Sequence, residues 1–148
     1  MIIGKKNIIR GGRNRKFTIN VIPRTKKNSQ QLFVRNGRVM AIPSKLYREY
    51  EKDCLKVIPK IYRKEIDYPV NIKAIFYTQT KRRIDLTNLL EALDDMLVKA
   101  NVIIDDCRDI IASHDGSMVF HDKDNPRIEV EITKIENYEQ WKNKEEKE

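Results

Sequence analysis

A chain of 148 residues has the length of one compact domain, able to bury roughly two thirds of the surface that its unfolded form exposes. With 40% hydrophobic and 35% charged residues and no long apolar run, the sequence excludes a membrane-spanning helix. The formal charge of +8 is unevenly spread: thirteen Lys and Arg precede the first acid, Glu49, whereas the last hundred residues hold 17 bases and 22 acids. A cationic first third of this kind attracts phosphate backbones by Coulomb steering and counterion release. A lipid-binding helix would need a broad apolar face opposite its bases, and Gly11-Gly12 and Asn14 argue against one. The opening Met1-Ile2-Ile3-Gly4-Lys5-Lys6 lacks the apolar stretch of a signal peptide, so a cytoplasmic location without a membrane partner is expected. Cys54 and Cys107 have no CxxC metal spacing and read as small hydrophobes in a reducing compartment.

Residues 1–16 read as a basic, loosely ordered segment. Phe17 to Ile22 reads as a strand ending at Pro23, followed by the polar basic loop Arg24-Thr25-Lys26-Lys27-Asn28-Ser29. Leu32-Phe33-Val34 and Val39-Met40-Ala41-Ile42 flank Asn36-Gly37, a strong hairpin signal. Ser44 stands where a helix N-cap belongs; Leu46, Tyr50, Cys54, Val57, Ile58 and Ile61 then recur at helical spacing, with Pro59 set to end or kink that helix. Val70 to Tyr77 is apolar and rich in β-formers, as a central strand should be.

Leu86 to Ala100 carries the clearest helical pattern, with Leu86, Leu89, Leu90, Leu93, Met96, Leu97 and Ala100 on one face. Thr87, Glu91, Asp94 and Asp95 lie opposite. Val102-Ile103-Ile104 is a short apolar run ending at Asp105-Asp106. Ile110 to Phe120 and Arg127 to Ile135 read as two further strands, and the charged tail 137–148 is expected to fray. The order of elements predicts a single α+β or α/β domain over residues 17–136, with a mixed β-sheet and two main helices.

The chemistry gathers where Arg82-Arg83-Ile84-Asp85-Leu86-Thr87-Asn88 enters the long helix. Taken singly, Asp85 is a helix-start residue, Glu91, Asp94 and Asp95 are a wet helix face, and Asp105-Asp106 is a turn. Together, a basic pair directly before one carboxylate and a second carboxylate pair after the helix suit phosphate chemistry. Carboxylates drawn close repel unless a cation neutralises them, and hard Mg²⁺ is the natural guest. His114 and His121 sit in a predicted strand and turn without a visible partner, and neither is given a role.

The stretch Arg82 to Ile110 resembles the signature of RusA-type Holliday junction resolvases: a basic pair, an Asp-Leu-Asp-Asn motif opening a helix, and a hydrophobic run ending in Asp-Asp. Ile22-Pro23 with Lys26-Lys27-Asn28 is similar to the family's first strand and basic loop. Gly37-Arg38-Val39, Pro43-Ser44, Asp115-Gly116-Ser117, Asp122-Lys123 and Asn125-Pro126-Arg127 suit its phage and Gram-positive branch. The likeness spans about residues 17–135.

The resemblance implies a homodimer that binds four-way or other branched DNA and resolves it by symmetric paired nicks, using Mg²⁺, with Mn²⁺ as a possible substitute. Asp85 matches the family's first catalytic aspartate and Asp106 its last; Asp105 is a further metal ligand or its support. Asn88 and Asp95 match supporting positions. Arg24, Lys26, Lys27, Arg82 and Arg83 are the expected phosphate contacts. Two positions depart from the pattern. Thr87 stands where many members carry a second metal-binding aspartate, and Glu91 where some carry a lysine. Glu91 follows Thr87 by one helical turn and is expected to supply the missing carboxylate, ahead of Asp95 or Asp122. The Thr87 departure leaves two alternatives: a junction-binding protein with weakened or lost activity, and a general nuclease of flaps and branches.

Overall fold

The computed structural model describes residues 14–26 and 30–145. Its organising element is β4 (Val70–Thr78), whose period-two pattern buries Val70, Ile72, Ala74 and Phe76 and leaves Asn71, Lys73, Ile75 and Tyr77 partly open. On one side β4 pairs antiparallel with β7 (Arg127–Lys134), and β7 pairs antiparallel with β1 (Asn14–Ile19). On the other side β4 pairs in parallel with β5 (Ile111–Ser113) near its start and with β6 (Met118–His121) near its end. The result is a mixed five-stranded sheet.

Two main helices supply the second layer. α1 (Lys45–Val57) contributes Tyr47, Tyr50 and Cys54 to the core, and α2 (Leu86–Lys99) contributes Leu89, Leu90, Ala92, Leu93, Met96 and Leu97. They pack with Phe17, Ile19, Ile128, Val130 and Ile132 in one continuous cluster. An ion pair between Lys99 and Glu51 (2.8 Å) ties the helices together at the surface. Ser44 caps α1 as expected, its hydroxyl accepting from the Tyr47 amide at 3.1 Å. The helix ends before Pro59, and Lys60–Tyr62 continue as a single 3₁₀ turn, so Ile61 is exposed rather than on the helix face.

β2 (Gln30–Arg35) and β3 (Arg38–Pro43) form the expected hairpin, a separate two-stranded sheet. Asn36 (φ 52°) and Gly37 (φ 72°) make its turn, the positive φ pair that matches strand twist. At the C-terminus of α2, Asn101 adopts φ 58°, with Val102 N–H donating to Leu97 O at 2.9 Å and Asn101 N–H to Val98 O at 3.0 Å. This Schellman arrangement turns the chain so that Val102 and Ile103 return to the core, where Ile103 bridges Ile66.

Three further expectations change. The strand expected over Ile110 to Phe120 is two short strands, because Asp115-Gly116 turns between them with Gly116 at φ 84°. The tail expected to fray forms α3 (Tyr138–Glu145), whose Tyr138 hydroxyl donates to the Arg108 carbonyl and the Asp109 carboxylate at 3.4 and 3.3 Å. The first strand runs over 14–19 rather than 17–22, since Asn14, Arg15 and Lys16 register against Thr133, Ile132 and Glu131. The remainder of the basic segment, residues 1–13, lies outside the described residues.

Candidate functional site

The first turn of α2 separates two depressions of opposite character. One is a groove of about 590 Å³ lined by Arg24, Thr25, Thr78, Arg82, Arg83, Asp85 and Asn88, among others. Arg82 and Arg83 are exposed and form no ion pair among the described residues. Arg24 arrives from the chain after β1, where its backbone meets the buried Tyr50 hydroxyl of α1. Asp85 is the N-cap residue of α2, but its carboxylate makes no capping bond to the helix backbone. It instead accepts from the Asn88 side-chain amide at 3.4 Å, which leaves it exposed at the wall of the basic groove.

The second depression, about 260 Å³, is lined by Thr87, Leu90, Glu91, Asp94, Asp106 and His114. Thr87, Leu90, Glu91 and Asp94 stand at i, i+3, i+4 and i+7, one stripe beside the leucine face of α2. Asp106 comes from the loop that follows the Ile66–Ile103 bridge, and His114 from the break between β5 and β6. Asp85 lines the other groove, two residues before Thr87.

Within this cavity His114 Nε2 lies 2.9 Å from Asp94 Oδ2, and Nδ1 lies 2.8 Å from the Ile72 carbonyl of β4. Burial pushes the Asp94 carboxyl up; the His114 hydrogen bond and charge pull it back, and the charge of Asp106 adds to the rise. Burial alone would lower His114, but the Asp94 hydrogen bond and charge, with the Ile72 carbonyl, hold it above the ordinary histidine range. Both groups thus bind protons more tightly than when free. The Ile72 carbonyl can only accept, so Nδ1 carries a proton, and a second proton is shared between Nε2 and Asp94 Oδ2. The other carboxylate oxygen, Asp94 Oδ1, is buried without a hydrogen-bond partner.

The remaining sequence candidates are placed elsewhere. Lys26 ion-pairs with Asp95 of α2, so each occupies the other. Asp105 Oδ1 accepts the Asp106 backbone N–H at 2.8 Å, a local turn bond. Asp122 is held by Arg127 Nη1 (3.0 Å) and by the Asn125 amide (3.1 Å), and Arg127 lowers its carboxyl below the usual range. His121 Nδ1 lies 3.0 Å from the Thr78 carbonyl. Lys27 lies outside the described residues. Sequence reasoning gave no role to His114; the available signal was its position just past the end of an apolar run, before the Asp115-Gly116 turn that breaks the strand.

Among the described residues no three His, Cys, Asp or Glu side chains converge tightly enough to hold a metal by themselves. The donor set nevertheless suits a hard cation. Mg²⁺ commonly takes one or two carboxylates, keeps several waters and completes its shell with substrate phosphate. An unsatisfied buried carboxylate oxygen beside a second carboxylate is what such an ion would relieve.

A groove lined by exposed arginines shares a helix terminus with an acidic cavity on a small mixed-sheet platform, an arrangement that suits phosphate chemistry. Residues 21–133 match the family model described as endodeoxyribonuclease RusA, and the chain belongs to that family of Holliday junction-resolving endonucleases. No curated protein matches the chain. Branched DNA is therefore the substrate class, and among the described residues no helix is long and apolar enough to cross a membrane.

Proposed function

We propose that this chain resolves four-way DNA junctions by Mg²⁺-dependent hydrolysis, making symmetric paired nicks as a homodimer. The observation that carries the reading is the adjacency of the Arg24, Arg82 and Arg83 groove to the Asp106 cavity across one helical turn of α2. Arg82 and Arg83 are open to bind backbone phosphates, as bidentate donors that fix orientation as well as charge. Asp85 and Asp106 are the proposed metal-binding carboxylates, one on each side of Thr87, with Glu91 at the cavity wall and Asn88 orienting Asp85. A bound Mg²⁺ would polarise the scissile phosphate and neutralise the charge that develops there. A water oxygen forms the new P–O bond while the opposite P–O bond breaks, leaving one phosphate end and one hydroxyl end. Mn²⁺ is the expected substitute.

Two equivalent cuts need two equivalent sites, which a twofold dimer supplies on a pseudo-symmetric junction. The hairpin supports a dimer: Leu32, Val34 and Val39 are 72%, 70% and 70% exposed and share one face with Ala41 through the Leu32–Ala41 and Val34–Val39 pairs.

The test is incubation of pure protein with a labelled mobile junction, with Mg²⁺ or Mn²⁺ and then with EDTA. The reading expects paired nicks in the first case and none in the second. Binding without cuts favours a junction-binding protein, which the neutral Thr87 hydroxyl in the cavity gives reason to consider. Equal cutting of flaps or linear duplex favours a general nuclease.

A further inference from the structure

We infer that Asp94, oriented by His114, is the second carboxylate of this protein's cation site, in partnership with Asp106, and that Glu91 is not. The inference rests on the metal-dependent reading above and names residues that reading leaves open.

The first support is the state of each acid around the cavity. Glu91 is exposed on the surface of α2, free to reorient in water. Asp95 is committed to Lys26, and Asp105 accepts the neighbouring backbone amide. Asp94 differs from all of them. Its side chain is only 15% exposed, Oδ2 is fixed by His114, and Oδ1 is buried with no partner. A buried oxygen with unused lone pairs is destabilising unless something satisfies it, and Asp94 lines the same cavity as Asp106.

The second support is how firmly His114 is held. Asn71 of β4 clamps the backbone on one side of it: its Oδ1 accepts from the Ser113 hydroxyl (2.6 Å) and the Asp115 amide (2.7 Å), and its Nδ2 donates to the Asp115 carbonyl (3.2 Å). Ser117 clamps the other side, accepting from the Ala74 amide at 3.0 Å. Gly116 makes the intervening turn, its Cα hydrogens packed on the Lys73 stem where a Cβ would lie 3.2 Å from Cδ. At the break in the strand the Ile72 carbonyl receives His114 Nδ1–H at 2.8 Å beside the Ser117 hydroxyl at 3.4 Å. The chain Ile72 carbonyl–His114–Asp94 therefore anchors one carboxylate to the central strand. This is the geometry of a histidine that orients an acid, with the acid's other oxygen left for a ligand.

The spacing along α2 adds a constraint. Asp94 lies nine residues after Asp85, about 13 Å along the axis at 1.5 Å per residue, so an ion at Asp94 is not one that Asp85 also ligates, and Asp106 is the carboxylate that both have in common. Asp106, which shares the Asp94 cavity and whose charge reaches Asp94, is the partner within range.

The experiment is calorimetric titration of Mn²⁺ into the full-length, metal-stripped protein without DNA, on wild type, Asp94→Asn, Asp106→Asn, Glu91→Gln, His114→Ala and His114→Gln, each checked by thermal melting. Asp94→Asn and Asp106→Asn should each weaken Mn²⁺ binding at least tenfold, with Glu91→Gln within threefold of wild type. His114→Ala should weaken it by about 10–100-fold, the usual effect of removing a group that orients a metal ligand, and His114→Gln should recover part of that loss because its amide can still donate to Oδ2. If Asp94→Asn fails to fold, the His114 pair and Asp94→Glu, which keeps the charge but moves the carboxylate by one methylene, decide the matter through reduced affinity. Wild-type affinity in Asp94→Asn, with loss only in Asp106→Asn, overturns the assignment to Asp94 and leaves the metal reading standing. Absence of Mn²⁺ binding by wild type overturns the reading itself.

Discussion

The basic groove makes a quantitative claim about salt. Arg82 and Arg83 are exposed, line the same groove as Arg24 and have no ion-pair partner among the described residues, so their charge is available to phosphate. Each phosphate neutralised contributes about 0.9 to the slope of log affinity against log salt. An Arg82→Ala/Arg83→Ala double variant should therefore flatten the slope by about 1.8. Between about 50 and about 200 mM salt, wild type should then lose roughly tenfold more affinity than the variant, a difference that grows as that power of the concentration ratio. Fluorescence anisotropy on a labelled four-way junction in EDTA measures it without cleavage. Two junctions of different sequence should give the same change, because phosphate contacts carry no base information. Coincident slopes for wild type and variant would refute the assignment of this groove to the DNA backbone.

Four further outcomes follow from particular contacts. Lys26→Ala should lower the melting temperature by a few degrees and change the salt slope little, since Lys26 already neutralises the partly buried Asp95 rather than waiting for phosphate; a slope change equal to that of an arginine would contradict this. At pH 8 a disulfide-exchange reagent should titrate Cys107, which is exposed, and spare Cys54, whose thiol burial pushes up to about 12, until the protein is denatured. Arg127 holds the Asp122 carboxyl below its ordinary value of about 3.9, so the stability from this pair is present above that value and is lost as pH falls through the lower folded one; Asp122→Asn should melt slightly lower than wild type at neutral pH and flatten the acid limb, the two melting-temperature profiles converging at low pH. Leu32→Glu/Val34→Glu should convert a dimer to a monomer in light scattering without altering the melt of the monomer body, because both side chains point away from the core.

Where the sequence was legible, one local physical rule was enough. The leucine stripe of α2, the alternation in β4 and β7, the Ser44 cap and the Asn36-Gly37 turn each follow from a period or a turn chemistry contained within a dozen residues. The basic groove was legible for the same reason, as Arg82, Arg83 and Asp85 are near neighbours in the chain. What stayed hidden depends on contacts between distant residues. Nothing near Lys26 announces Asp95, 69 positions away, and nothing near His114 announces the Asn71 clamp or the Ile72 carbonyl, each 42 or more positions back. Asp94 was visible on the acidic side of α2, yet the His114 that fixes it comes from the strand break, 20 positions further on. The tail was misread because its Lys and Glu content suggests solvent, whereas Tyr138 ties the start of α3 to the 108–109 turn.

The most direct test of the account is a crystal soaked in Mn²⁺ and read for anomalous scattering. The account predicts a peak in the cavity beside Asp106, at coordinating distance from its carboxylate and from Asp94. Strong Mn²⁺ peaks confined to other parts of the molecule, with that cavity bare at saturating metal, would contradict it.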